Sequence, residues 1–154
     1  MSIFEKWDLE SNILDAIKSR GWVEPTEIQL DSIPLARKGR DIVGQAKTGS
    51  GKTAAFGIPI LERCQKKGFP QSIILCPTRE LAVQVTEELE LLQGKKGLKI
   101  VSVYGGTDID KQAKILSNGC DIVVGTPGRV IDMTKKGHLK LEKISIFCLD
   151  EADR

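Results

Sequence analysis

The stretch Asp41-Ile42-Val43-Gly44-Gln45-Ala46-Lys47-Thr48-Gly49-Ser50-Gly51-Lys52-Thr53 decides how the rest of the chain is read. Asp41 to Gly44 is a short β-branched strand. A glycine-rich loop follows, and a helix carrying Ile58, Leu61 and Cys64 comes next. The order strand, Gly-rich loop, Lys-Thr, helix is the phosphate-binding pattern, with Ala46 where the usual motif has glycine. Such a loop points successive backbone N–H groups at phosphate oxygens, and glycines permit that backbone. The helix adds its positive end. Lys52 is placed to reach the β- and γ-phosphates, and the Thr53 hydroxyl to hold Mg²⁺. The bland alternative is a Gly/Ser turn between two elements.

Outward from this loop the same alternation continues. Strands are expected at Ile73 to Cys76, Ile100 to Tyr104, Ile122 to Val124 and Ile144 to Leu149. Between them lie helices with Leu81, Val85, Leu89 and Leu92 on one face, and Ile109, Ala113 and Leu116 on another. Gly94 and Gly97 stop the first of these, and Asn118-Gly119 the second. Upstream, Ile13, Leu14 and Ile17 form a helical stripe, and a helix runs from Pro25-Thr26 to about Arg37. Each strand is apolar on both faces, which implies an α/β fold: an open, mostly parallel sheet with helices on both sides. Ligands of such sheets bind beyond the carboxyl ends of the strands. Every polar motif of this chain falls there.

The last strand ends in Asp150-Glu151. An Asp at that point can hold Mg²⁺ through water, and the adjacent Glu can orient or deprotonate an attacking water. The same pair also reads as the acidic first turn of a helix.

The 154 residues make one domain, residues 1–154, with near-average apolar and charged fractions and a net charge of +2. That charge neither demands nor excludes nucleic acid. No secretory layout and no apolar run of membrane-spanning length is present, so no membrane partner is expected. Cys64, Cys76, Cys120 and Cys148 are scattered, without a Cys-x-x-Cys pair, and read as reduced thiols in or near the core of a cytoplasmic protein. His138, in a turn-like stretch, reads as a solvated loop residue. Trp7 and Trp22 read as core or rim aromatics.

Taken together, these motifs resemble the DEAD-box family of ATP-dependent RNA helicases. The residues that carry the resemblance are Asp150-Glu151-Ala152-Asp153, the phosphate loop including Ala46, Pro77-Thr78-Arg79-Glu80-Leu81-Ala82, Gly105-Gly106, Thr126-Pro127-Gly128-Arg129, and Gly21-Trp22-Val23-Glu24-Pro25-Thr26-Glu27-Ile28-Gln29 with Phe4 upstream. The resemblance spans essentially the whole chain. It implies a RecA-like core that binds ATP and Mg²⁺. Gln29 would read the adenine edge and Phe4 would cover the ring, although Thr26-x-x-Gln29 is also a capping box. Lys52, Asp150 and Glu151 would be catalytic. Residues Ala46, Lys47, Thr48, Gly49, Ser50, Gly51, Lys52 and Thr53 would hold the phosphates.

RNA contacts are implied for Pro77, Thr78, Arg79, Gly105, Gly106, Thr126, Pro127, Gly128 and Arg129. Hydroxyls, glycine amides and arginines suit a single-stranded sugar–phosphate backbone. No aromatic stacking platform stands out in these loops, so readout without sequence preference is expected. The local alternatives are that Thr126 caps the helix opened by Pro127, and that Glu80 pairs with Arg79 or a neighbour. A phosphate-loop clamp, a DNA helicase and a nucleotide-free scaffold are the competing functions. The scaffold would need neither Lys52, Thr53 nor Asp150.

Family members continue past the DEAD motif with a Ser-Ala-Thr strand and a second RecA-like domain that supplies arginine fingers. The sequence in hand ends at Arg154. The resemblance therefore implies a fragment with negligible RNA-stimulated ATP turnover, a gap in the sheet beside the Asp150 strand, and possible self-association through unpaired strand edges.

Overall fold

The computed structural model describes Glu5, residues 7–21, Gln29 and residues 52–150. Phe4, Trp22, the helix expected from Pro25-Thr26 to about Arg37 (Gln29 apart), the strand expected at Asp41 to Gly44, loop residues 46–51 and residues 151–154 lie outside them. In chain order the described elements are α1 (Ser11–Ser19), α2 (Lys52–Arg63), β1 (Ser72–Leu75), α3 (Arg79–Leu92), β2 (Ile100–Val103), α4 (Ile109–Ser117), β3 (Ile122–Gly125), α5 (Pro127–Lys135) and β4 (Ile146–Leu149).

The four strands form one sheet in the order β2-β3-β1-β4, and every pair is parallel. The expected open parallel sheet is therefore observed. Alternate residues feed two cores, as a period of two requires. Ile74, Cys76, Ile122, Val124 and Cys148 join α1, α2 and α3 in one cluster. Ile73, Val101, Val103 and Val123 meet Leu116, Val130 and Met133, from α4 and α5, in the other. On α3 the buried line is Ala82, Val85, Leu89 and Leu92, with Leu81 only half-buried beside it. Ile13 and Ile17 of α1 are fully buried, and Leu14 and Trp7 pack at the margin. Arg20, at the end of α1, pairs with Glu88 of α3 at 2.8 Å.

Two expectations need correction. The last strand begins at Ile146, not Ile144, because the Ser145 and Ile146 N–H groups both donate to the Gln71 carbonyl at the sheet's margin. Nor is every strand covered on both faces. Phe147 is 49 % exposed and Leu149 39 % exposed, while Cys148 between them is buried. The helix on that side, α5, lies over β1 and β3, and Phe147 forms the rim of an apolar groove with Ile73, Leu75, Val130 and Leu141.

The amino ends of the strands are fixed by a polar knot around Asp121, which is 2 % exposed. Its Oδ1 accepts from the Lys67 N–H (3.0 Å), the Gly68 N–H (2.9 Å) and Gln71 Nε2 (3.2 Å), and its Oδ2 from the Lys99 N–H (2.9 Å). Gln71 in turn accepts from the Gln65 N–H and donates to the Gln65 carbonyl, both at 2.8 Å. The loops entering β1, β2 and β3 are thus joined by one carboxylate. Lys96 plays a similar part for α2. Its ammonium bonds the Leu61 carbonyl at 2.5 Å and the Glu62 carbonyl at 3.3 Å, satisfying the helix's carboxyl end, and pairs with Glu10.

All four cysteines are free and buried, as the sequence suggests. Burial pushes the Cys64 thiol up to about 12, with Lys96 opposing the rise and Asp121 adding to it. Burial, followed by Asp121, does the same for Cys120. A thiol held protonated in the folded state contributes nothing to pH dependence below its ordinary value of 9.0. Above it the unfolded chain ionises first, so stability falls between pH 9 and about 12. We expect no reaction of the native thiols with an aromatic disulfide reagent at pH 8, and release of all four on denaturation. Fast labelling of Cys64 or Cys120 in the folded protein would contradict this.

Candidate nucleotide and nucleic-acid rim

The strands end level with one another. Leu75 is in register with Gly125 on one side and Leu149 on the other, and Gly125 with Val103. The ladder runs one residue further: the Cys76 N–H donates to the Gly125 carbonyl at 2.8 Å, Thr126 to Val103 at 3.1 Å, and Asp150 to Leu75 at 2.8 Å. With strands about 4.8 Å apart, the loops after β2, β3 and β1 and the end of β4 share a rim roughly 14 Å long. Residues 77–79, 105–106, 126–129 and Asp150 are therefore gathered on one edge. That juxtaposition follows from the parallel topology alone.

Each motif residue has a definite local setting. Pro77, Thr78 and Arg79 are exposed. Thr78 caps α3, its hydroxyl accepting from the Leu81 N–H at 3.2 Å, which leaves the O–H free to donate outward. Glu80 sits in the first turn of α3, where its charge complements the helix end, rather than pairing with Arg79. Arg79 lies over the Tyr104 ring, 4.8 Å from its centroid. One aromatic ring does stand on this rim, then, and a guanidinium covers it. Gly105, Gly106 and Gly128 are exposed. A Cβ at Gly105 or Gly128 would meet nothing within 4 Å, and Gly106 has φ +85°, a conformation that favours glycine. These backbones are open to close approach by a ligand.

Thr126 occupies the N-cap position of α5 but makes no side-chain cap bond, and Pro127 takes the first turn. The capping alternative for its hydroxyl is thereby removed. Arg129 is half-buried and turned inward. Its Nη1 donates to Gln112 Oε1 at 2.8 Å and its Nη2 to the Thr107 carbonyl at 3.1 Å. Neither Gln112 nor Thr107 was singled out by sequence reasoning. The one signal available is a glutamine next to the apolar stripe Ile109, Ala113, Leu116.

On the nucleotide side, Lys52 and Thr53 form the first turn of α2, with Thr53 half-buried. Asp150 is buried at the end of β4, 4 % exposed, and Gln29 is 1 % exposed in helical backbone. Among the described residues no three His, Cys, Asp or Glu side chains converge on one point. A hydroxyl and a carboxylate are nevertheless the hard oxygen donors that Mg²⁺ takes singly, alongside phosphate and water. No described helix is long and apolar enough to cross a membrane.

A parallel sheet that gathers Asp150 and the loops after β1, β2 and β3 on one rim defines an open α/β protein with its polar motifs at the strands' carboxyl ends. Comparison with known proteins supplies the family. The model of the DEAD/DEAH box helicase family matches residues 26–154. The chain belongs to that family. It is 50 % identical over 151 residues to the DEAD-box ATP-dependent RNA helicase CshA of Streptococcus pneumoniae, covering 97 % of this chain and 29 % of that protein. It is equally 50 % identical to a probable ATP-dependent RNA helicase of Methanocaldococcus jannaschii, covering 41 % of it. The crystal structure of a DEAD box protein from that hyperthermophile superposes with a TM-score of 0.88 over 93 % of this chain and 39 % of the other. A hypothetical ATP-dependent RNA helicase from Sulfolobus tokodaii, 40 % identical, gives 0.83. The chain thus spans well under half the length of these relatives.

Proposed function

We propose that residues 1–154 are the amino-terminal, RecA-like ATP- and RNA-binding part of an ATP-dependent RNA helicase that works in the cytoplasm with a second RecA-like domain. The observation that carries the reading is the level ending of four parallel strands, which brings Asp150 and three RNA-type motifs to one rim. In this reading residues 46–53 hold the phosphates, with Lys52 neutralising the β- and γ-phosphates. Thr53 and Asp150 hold Mg²⁺, which supplies charge stabilisation at the transferred phosphoryl group. Glu151 orients the attacking water, and Gln29 with Phe4 selects adenine. The Arg79 guanidinium, the Thr78 and Thr126 hydroxyls and the amides of Gly105, Gly106 and Gly128 bind an RNA backbone without reading bases. Pro77 and Pro127 shape the loops. Four buried free thiols suit a reducing compartment.

Titration of the full-length protein with a fluorescent ADP analogue tests the nucleotide half. Lys52→Ala should weaken binding more than about tenfold, since a charge-assisted phosphate contact is lost. Equal binding by both forms would favour a nucleotide-free scaffold. For the RNA half, Arg79→Gln should flatten the dependence of log Kd on log salt by about 0.7 on single-stranded oligo(U), as expected when one phosphate contact disappears. An unchanged slope would remove Arg79 from the RNA backbone. A DNA oligonucleotide bound as tightly as RNA would move the substrate class.

A further inference from the structure

We infer that Gln112 is a positioning residue of the RNA rim, and that Arg129 acts as a tie between two loops of that rim and not as a phosphate ligand. This rests on the RNA reading proposed above.

Gln112 is 7 % exposed, on the side of α4 that faces the sheet. A buried amide is costly unless its donors and acceptor are satisfied. Here they are. Gln112 Nε2 donates to the Tyr104 carbonyl at 3.1 Å and to Thr107 Oγ1 at 2.6 Å. Its Oε1 accepts from Arg129 Nη1 at 2.8 Å. Thr107 Oγ1 donates onward to the Tyr104 carbonyl at 3.2 Å, and Arg129 Nη2 donates to the Thr107 carbonyl at 3.1 Å. The loop carrying Gly105 and Gly106 is therefore held from three helices at once: by Gln112 of α4, by Arg129 of α5, and by Arg79 of α3 stacked over Tyr104.

Two of the guanidinium's nitrogens are committed to this internal frame. The frame fixes where the Gly105 and Gly106 amides point, and fixes them relative to Gly128, one residue before Arg129. A loop already ordered loses little entropy when a ligand arrives. Gln112 thus contributes to RNA binding without touching RNA, and Arg129 contributes through its fork geometry, which a lysine cannot reproduce.

The test uses the full-length protein, labelled single-stranded oligo(U) and a non-hydrolysable ATP analogue, with Kd measured across a salt series. Gln112→Ala should weaken RNA binding about tenfold, and so should Arg129→Lys, which keeps the charge and the first turn of α5. Arg129→Gln should weaken binding while leaving the salt slope unchanged, unlike Arg79→Gln. The double variant Gln112→Ala/Arg129→Lys should be no weaker than either single one, because both break the same frame. Near-wild-type binding by Arg129→Lys, additive losses in the double variant, or a slope reduced by about 0.7 in Arg129→Gln would each overturn the inference. These outcomes leave the RNA reading intact if the wild type binds. A wild type that fails to bind oligo(U) would sink both.

Discussion

An Asp121→Ala variant is expected to lose about 4 kcal/mol of folding free energy, read as a lowered urea midpoint at unchanged slope. The side chain is small, and little packing goes with it. The loss comes from its partners. Three backbone N–H groups and the Gln71 amide converge on one buried carboxylate. Each bond to a charged acceptor is worth about 1.5–3 kcal/mol, and each donor left unpaired carries its own desolvation cost. Water admitted to the vacated space would recover part of this. Asp121→Asn separates the two contributions. Every contact of the carboxylate is an accepted bond, so an amide nitrogen on either side must face a donor. Asn should therefore fall between Asp and Ala, at about 2 kcal/mol. An Asn variant as stable as the wild type would show that only one oxygen matters. A loss of 4 kcal/mol is a large share of the roughly 5–15 kcal/mol typical of a domain.

Gly125→Ala should cost about 3 kcal/mol, for the opposite reason: an atom too many. A Cβ there would stand 2.7 Å from Val103 Cγ2, 2.7 Å from Val130 Cγ2 and 2.8 Å from the Val103 carbonyl oxygen. The valines are β-branched and stiff at χ1. The carbonyl cannot yield either, since it accepts the Thr126 N–H. β3 is fixed on both sides by parallel ladders to β2 and β1. Trimming both valines to alanine in the Gly125→Ala background should restore only part of the loss, because the carbonyl clash remains. Equilibrium urea unfolding of the three forms decides it. A loss well under about 1 kcal/mol would mean that β3 can shift in the sheet. By contrast Gly105 and Gly128, which have open space where a Cβ would go, should tolerate alanine with little change in stability.

The sequence carried the architecture because its signals are periodic and local. Val85, Leu89 and Leu92 of α3, and Ile122, Val123 and Val124 of β3, declare their elements through spacing. The rim motifs were legible because each follows a strand, and parallel strands put their carboxyl ends together. What escaped notice depends on contacts remote in sequence. Gln112 meets Arg129 seventeen positions away, and Asp121 meets Lys67 fifty-four away. Nothing in the neighbourhood of either residue announces its partner. Asp121 sits at a strand entrance, where acids are commonplace in turns, and Gln112 lies beside an apolar stripe that is complete without it. The exposure of Phe147 escaped for a related reason. An apolar strand residue states a preference for burial, and whether a helix covers it depends on where the crossovers run.

The two ends of this sheet differ in how freely they can vary. At the entry end, one carboxylate joins three loops, so a change in any of them is felt by the other two. At the exit end the strands stop level and the helices begin afresh. The frame of Gln112 and Arg129 joins the turns to one another but stands outside the ladders, so the turns can change while the ladders keep their register. Exploration of new ligands is thereby confined to one edge of the molecule, where it leaves the means of folding untouched. A saturation library should read out as a gradient along the strands: intolerant at Gly68, Gln71 and Asp121 and intolerant of proline at Lys67 and Lys99, whose backbone N–H groups bind the carboxylate, but permissive for folding and selective for binding at Gly105, Thr107 and residues 126–128.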